Sequence, residues 1–215
     1  MCIRDSLLIV SAVADPPPRT GFVERALIAA FVGGLTPLVC LTKSDLADPS
    51  TFAAEFRDLD VEVLTTGVDD SLEELTERIT GHVSALVGHS GVGKSTLFNR
   101  LIPDAERATG EVSGVGKGRH TSTQSVALKL PQGGWIIDTP GIRSLGLAHV
   151  DPDTVVEVFE DLREVIEDCP RGCTHMGPPA DPECALDTLT GASARRVTAI
   201  RRLLEALRSN NEWEM

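Results

Sequence analysis

The chain has 215 residues, 41% of them apolar, and a formal net charge of −12. That size and apolar content suffice for one or two domains with a buried core, and the acidic balance excludes nucleic-acid binding unless a local basic surface provides it. The longest apolar run, Leu7 to Ala14, is far short of the ~20 residues of a membrane span, and no basic segment with a small-residue cleavage site opens the chain, so a cytoplasmic protein working away from membranes is expected.

Residues 1–6 place a Cys and a lone Arg-Asp pair directly before a buried-strand pattern and read as a non-native leader. Leu7 to Ala14 has the continuous apolar character of a strand covered on both faces, closed by Asp15 and three prolines. Phe22 to Phe31 repeats apolar residues at helical spacing up to Gly33-Gly34, and Pro37 to Thr42 is a second buried strand. A helix over Ser50 to Leu59, a strand over Val61 to Thr65 and a serine-capped helix over Ser71 to Ile79 follow. Ala85 to Leu101 is a short apolar strand, a glycine turn and an amphipathic helix. Beyond it the pattern gives a glycine-rich mobile loop, Gly110 to Gly118, and strands at Ser125 to Leu130 and Trp135 to Asp138. A helix over Pro152 to Glu167 capped by Asp151, a Pro/Gly/Cys-rich segment and a last helix over Ala192 to Leu207 complete the chain. Strands alternating with helices predict a three-layer α/β fold with a mainly parallel sheet.

The glycine turn is a P-loop. Its residues, Gly88, His89, Ser90, Gly91, Val92, Gly93, Lys94, Ser95 and Thr96, have the spacing that turns backbone N–H groups inward around a phosphate. Lys94 reaches the β and γ phosphates, Ser95 gives a hydroxyl to Mg²⁺, and the following helix aims the positive end of its dipole at the anion. Thr42-Lys43-Ser44-Asp45 ends a buried strand, where open α/β sheets hold ligands. There the Asp45 carboxylate can accept from the N1–H and exocyclic amine of guanine, with Lys43 along the base plane and helping to tie down the P-loop. Thr65-Thr66-Gly67 ends the next strand and offers hydroxyls and N–H groups to the base, although an ordinary turn has the same residues. Asp138-Thr139-Pro140-Gly141 matches the loop whose Asp holds Mg²⁺ through water and whose Gly N–H senses the γ-phosphate. Ile142 stands where many GTPases carry the glutamine that orients the attacking water, which leaves His120 as the candidate for that role and either Thr121 or Thr123 as the switch ligand to Mg²⁺.

Motif order carries more information than any single motif. Lys43 and Asp45 precede Gly88, whereas the usual GTPase places base recognition last, so the domain is circularly permuted. Cys169, Cys173, His175 and Cys184, with turn-forming Pro and Gly between them, form a three-thiolate, one-imidazole set suited to structural Zn²⁺ in place of a core. Arg195, Arg196, Arg201, Arg202 and Arg208 face only Glu205 on the last helix, which reads as a basic surface for phosphate backbones or as a solvated amphipathic face.

With the permuted order, the Gly-His-Ser-Gly-Val-Gly-Lys-Ser loop, Gly-Arg-His-Thr-Ser-Thr, Asp-Thr-Pro-Gly and the Cys/Cys/His/Cys set, the sequence resembles the RsgA/YjeQ family over nearly the whole chain from Leu7 on. The resemblance implies a permuted GTPase domain at residues 7–148 and an α-helical zinc domain at 149–215. It further implies GTP hydrolysis with GTP and GDP as ligands, Mg²⁺ and one structural Zn²⁺, stimulation by the small ribosomal subunit, and a role in that subunit's maturation through rRNA contact. The family's use of a loop histidine in place of glutamine agrees with His120, and a monomer is expected. Its N-terminal OB-fold barrel has no counterpart in this sequence, Thr42 stands where Asn is commoner, and the zinc spacing differs from the usual one. Two rival readings are a guanine-nucleotide-binding fragment without productive ribosome docking and an ATP-dependent P-loop enzyme.

Overall fold

The computed structural model describes residues 5–103, 125–139, 147 and 149–208. Six strands form one sheet: β1 (Ser6–Ala12), β2 (Thr36–Thr42), β3 (Glu62–Thr66), β4 (Val83–Gly88), β5 (Val126–Lys129) and β6 (Trp135–Asp138), in the order β3-β2-β1-β4-β6-β5. All neighbours are parallel except the β5/β6 pair. The register carries the functional consequence. Val10 pairs with Gly88, Ala12 with Thr42, Thr42 with Thr66 and Leu86 with Asp138, so the ends of five strands meet at one edge of the sheet. Ligands of open α/β sheets bind at that edge, where strand order reverses; here the reversal falls at β4.

Period-2 alternation divides the apolar side chains of the central strands between two cores. Leu7, Ile9, Val39 and Leu41 face α1 (Thr20–Val32), whereas Leu8, Val10, Leu38 and Cys40 face α3 (Glu73–Ile79) and α4 (Lys94–Leu101). Both faces of β1 and most of β2 are therefore covered, which explains why these strands read as unbroken hydrophobic runs.

Two predicted helices are shorter than their patterns. The segment after β2 gives α2 (Ser50–Ala54) and then a 3₁₀ turn, Arg57–Leu59, ended by Asp60 in the left-handed region at φ 54°. The helix expected over Pro152 to Glu167 divides into α5 (Pro152–Glu157), α6 (Glu160–Arg163) and a 3₁₀ turn at Val165–Asp168. The break sits at Phe159, which is extended at φ −94°, ψ 109°. Packing compensates for the lost helical bonds: the Phe159 ring lies edge-on to Phe31 at 5.3 Å and under the Arg196 guanidinium at 5.6 Å. Asp151 caps α5 as expected, its carboxylate accepting from the Asp153 N–H at 3.0 Å.

The last helix, α7 (Gly191–Arg208), buries Val197, Ile200, Leu203, Leu204 and Leu207, the spacing of a single helical face. That face packs against α1, and the apolar cluster runs unbroken from the sheet through α1 into α5, α6 and α7. Among the described residues, the C-terminal helices thus complete the core of the sheet domain. No described helix is long and apolar enough to cross a membrane. Leu204 is fully buried in this shared core, so Leu204→Ala is expected to destabilise the whole protein by about 2–5 kcal/mol. Denaturant unfolding followed by both CD and tryptophan fluorescence checks this; a loss under about 1 kcal/mol, or loss confined to one probe, would show that α7 folds separately.

Candidate functional site

At the shared edge, the phosphate loop is held from behind by two neighbouring strands. Gly88 must lack a side chain, because a Cβ there would meet the Val10 carbonyl oxygen at 2.5 Å. Gly93 adopts φ +90°, a conformation open to glycine, just before α4 begins at Lys94. The Lys94 ammonium donates to the carbonyls of Gly88 at 2.5 Å and His89 at 2.9 Å. Burial lowers the Lys94 pKa, and the Asp138 charge opposes that shift. The same burial raises the Asp138 carboxyl, with Lys94 opposing. Ser90, Gly91, Ser95 and Thr96 are exposed, Val92 is buried beneath the loop, and the His89 ring accepts from Arg19 at 2.8 Å.

The base-side motif departs from its expected division of labour. Thr42, rather than Lys43, makes the tie to the P-loop: its hydroxyl donates to the Val92 carbonyl at 2.6 Å. Lys43 instead donates to the Asp15 carbonyl in the loop after β1, and its backbone lies in the left-handed region at φ 59°. Lys43 and Asp45 still border a cleft of about 260 Å³ that also touches Thr66, Gly67 and Gly93. One oxygen of Asp45 accepts from the Val68 N–H at 3.2 Å. Ser44 is a brace, donating its hydroxyl to Asp70 at 3.3 Å.

Thr65 is exposed and lies outside the cleft lining, whereas Thr66 is buried and belongs to it. Strand alternation is the cause: adjacent residues of β3 face opposite ways. Leu46, Val68, Leu97 and Arg100, which no motif marks, complete the lining. The helical phase from Lys94 could have signalled Leu97, and Leu46 and Val68 directly follow Asp45 and Gly67 in the chain, but Arg100 reaches the base side only through tertiary contact. His120, Thr121, Thr123 and Gly141, the expected switch residues, lie outside the described residues.

Asp138 ends β6 beside the P-loop strand, and its Oδ1 is buried without a hydrogen-bond partner among the described residues. A buried carboxylate oxygen of this kind, with the exposed Ser95 hydroxyl at the start of α4, fits the all-oxygen donor preference of Mg²⁺. The cysteine cluster passes a similar test. The donor atoms of Cys169, Cys173, His175 and Cys184 all lie within 4.8 Å of one another, close to the spacing of about 3.8 Å that tetrahedral zinc–thiolate bonds require. His175 is buried, with Nδ1 3.6 Å from the Cys169 sulfur and Nε2 2.8 Å from an Asp153 oxygen. The carboxylate fixes the ring so that Nδ1 faces the thiols. Asp181 shapes the loop between them, accepting from the Thr174 N–H at 3.0 Å, the Thr174 hydroxyl at 2.6 Å and the Met176 N–H at 3.0 Å. The set could hold a zinc ion.

Arg196, Arg201 and Arg202 of α7 are turned to partners within the protein, whereas Arg195 keeps 64% of its side chain exposed and Arg208 is exposed. Arg196 meets Asp60 and Asp161, both at 2.5 Å; Arg201 meets Asp187 at 2.8 Å and the His175 carbonyl at 2.9 Å. Arg202 donates to the Glu55 carbonyl at 2.5 Å, and Arg195 reaches Asp58 at 3.3 Å. In an acidic chain, these arginines neutralise carboxylates of the chain's own neighbouring elements.

A mainly parallel sheet with its phosphate loop on the fourth strand, its base-side motif on the second and its Asp-Thr-Pro-Gly aspartate on the sixth defines a circularly permuted P-loop GTPase fold. Solved structures share it: YjeQ from Thermotoga maritima matches with a TM-score of 0.64 and 24% identity, covering 94% of this chain and 71% of that one. YloQ, described as a circularly permuted GTPase, matches with a TM-score of 0.63 and 22% identity over 95% of this chain and 69% of its own. The family model for the RsgA GTPase matches residues 3–148, and the chain belongs to that family. The small ribosomal subunit biogenesis GTPase RsgA of Ectopseudomonas mendocina is 37% identical over 216 residues, covering 94% of this chain and 62% of the relative. The protein of the same name from Nitrosospira multiformis is 36% identical over 223 residues, covering 96% and 70%. The chain thus spans less than two thirds of the Ectopseudomonas relative's length.

Two outcomes test this geometry. Because burial raises the folded-state pKa of Asp138, the stability linked to its proton is fully present below the unfolded value of about 3.9 and is lost as pH rises through the folded value. In buffer free of nucleotide and divalent cation, Asp138→Asn should therefore gain stability relative to the parent between about pH 4 and pH 7; a gap that is flat or moves the other way in thermal unfolding would contradict a carboxylate whose burial outweighs the Lys94 charge. Freshly isolated protein should contain about one zinc per chain and Cys184→Ser well under that, as measured by elemental analysis.

Proposed function

We propose that the chain binds guanine nucleotides in the cleft between Asp45 and the phosphate loop, hydrolyses GTP, and serves in maturation of the small ribosomal subunit. The observation that carries the nucleotide reading is the Asp45 carboxylate, held by the Val68 N–H at the border of a cleft that reaches Gly93. Guanine presents N1–H and a 2-amine to such an acceptor; adenine presents a lone pair, leaving the carboxylate unmatched. The subunit role rests on family membership and on the relatives' names, and it carries with it a cytoplasmic location. The two-part organisation at residues 7–148 and 149–215 and a single zinc held by the Cys/His set belong to the same proposal.

For hydrolysis, the residues at hand divide the work by chemistry. The loop N–H groups and the start of α4 orient the phosphates, and Lys94 exchanges its carbonyl partners for phosphate oxygens, placing positive charge where negative charge accumulates during in-line attack by water. Ser95 and Asp138 would hold Mg²⁺, which would supply positive charge against the phosphates when bound. Ile142 cannot orient water, and His120 is proposed for that role, with Thr121 or Thr123 completing the metal shell.

A second reading, nucleotide binding without subunit-stimulated turnover, is favoured by one observation: Arg196, Arg201 and Arg202 of α7 are paired with partners inside the protein. Single-turnover GTP hydrolysis with and without purified small subunits separates the two. Acceleration is expected, and its absence would leave the binding-only reading. On the base side, Asp45→Asn should weaken GDP binding by about 100-fold or more and admit xanthosine diphosphate, whose 2-oxo group accepts from an amide. ATP displacing a fluorescent GDP analogue as well as GTP does would end the guanine assignment.

A further inference from the structure

The cleft contains a cation that the motifs do not explain. Arg100 lies on α4, six residues beyond Lys94 and on the same helix as the phosphate grip. Its guanidinium reaches the loop after β3, donating through Nη1 to the Gly67 carbonyl at 3.0 Å and through Nη2 to the Asp70 carbonyl. Both ends of that loop segment are thereby fastened to the phosphate-binding helix by one rigid, planar group.

The fastened loop in turn sets the base-recognition carboxylate. Val68, between the two clamped residues, donates its N–H to Asp45 at 3.2 Å. Asp70 accepts from the Gly67 N–H at 2.6 Å and from the Ser44 hydroxyl at 3.3 Å, so the loop is closed on itself and on the segment bearing Asp45. The fit leaves no slack at Gly67, where a Cβ would stand 3.1 Å from an Asp45 oxygen and 3.2 Å from an Asp70 oxygen. Arg100, Gly67, Val68 and Asp45 all border the same cleft.

We infer that Arg100 is a positioning residue for guanine specificity: by clamping the 67–70 loop to α4 it holds the Asp45 carboxylate in the orientation that reads the guanine 2-amine. This rests on the guanine-nucleotide reading. The contact belongs to selection of the base, and the grip on phosphate is left to the loop before it. A lysine at this position keeps the charge and the stem but lacks the fork that spans two carbonyls.

The test compares the parent protein with Arg100→Ala and Arg100→Lys, using GDP, inosine diphosphate, which lacks the 2-amine, and ADP as competitors of a fluorescent GDP analogue. The parent should prefer GDP over both. Arg100→Ala should lose about tenfold or more in GDP affinity and much less for inosine diphosphate, so that the GDP-to-IDP ratio collapses; Arg100→Lys should fall between. Unchanged GDP affinity, or an equal loss for GDP and IDP that preserves the ratio, would overturn the assignment, since general loosening of the fold does not distinguish the two bases. Should Arg100→Ala fail to fold, the Arg100→Lys ratio decides alone, and parental discrimination in that variant refutes the inference. If the parent itself binds ADP as tightly as GDP, the guanine reading fails and this inference falls with it.

Discussion

The parallel pairing of β1 with β4 is the seam on which the molecule depends. Residues Ser6 to Val10 lie alongside Ser84 to Gly88, and the seam joins the half that carries base recognition to the half that carries the phosphate loop. It is closed at one end by a hydroxyl pair, Ser6 to Ser84 at 2.7 Å, and at the other by the approach of the Val10 carbonyl to Gly88. A side chain at Gly88 would force the two halves apart where the nucleotide must touch both. In an unpermuted chain the same neighbours would be reached by a different path; here the sheet itself restores the adjacency that the chain order removed.

Of three further ties to main-chain carbonyls, two cross between the halves and one lies within the phosphate-loop half, each from a different element. The Thr42 hydroxyl holds the Val92 carbonyl, the Thr139 hydroxyl holds the Leu86 carbonyl at 2.6 Å, and Arg100 holds the loop after β3. Their common feature is a donor from one strand end or helix meeting a main-chain carbonyl of another, which secures position without constraining the residue that supplies the carbonyl. The phosphate and base sites are consequently parts of one framework.

The C-terminal segment shows how an acidic chain uses its positive charge. Arg196 and Arg201 act as staples between α7 and the loops around it, partly withdrawn from solvent, with Phe159 stacked under the Arg196 guanidinium. Such partly buried pairs specify where a helix sits, and exposed ones add little stability. Arg201 also reaches the His175 carbonyl, and a Cβ at Gly177 would collide with its guanidinium at 2.6 Å. The Cys/His loop is therefore seated on α7 from one side and tied through Asp153 to α5 from the other.

Much of the fold is legible in the sequence. The unbroken apolar runs of β1 and β2, the strand-turn-helix at the P-loop and the motif order were sufficient for a permuted, mainly parallel α/β fold, because periodicity and glycine spacing are local properties of the chain. The Cys169, Cys173, His175 and Cys184 set was also visible, since thiols crowded in a segment with little apolar content have few other uses. What composition left open was direction. A row of arginines reads the same whether it faces water or Asp60, Asp161 and Asp187, and Thr65 and Thr66 look alike until strand phase separates them. Only the tertiary structure decided that Thr42 rather than Lys43 secures the phosphate loop, that Phe159 breaks a helix to fill the space beside Phe31, and that Arg100 belongs to the base site, because each depends on a partner dozens of residues away that no local pattern encodes.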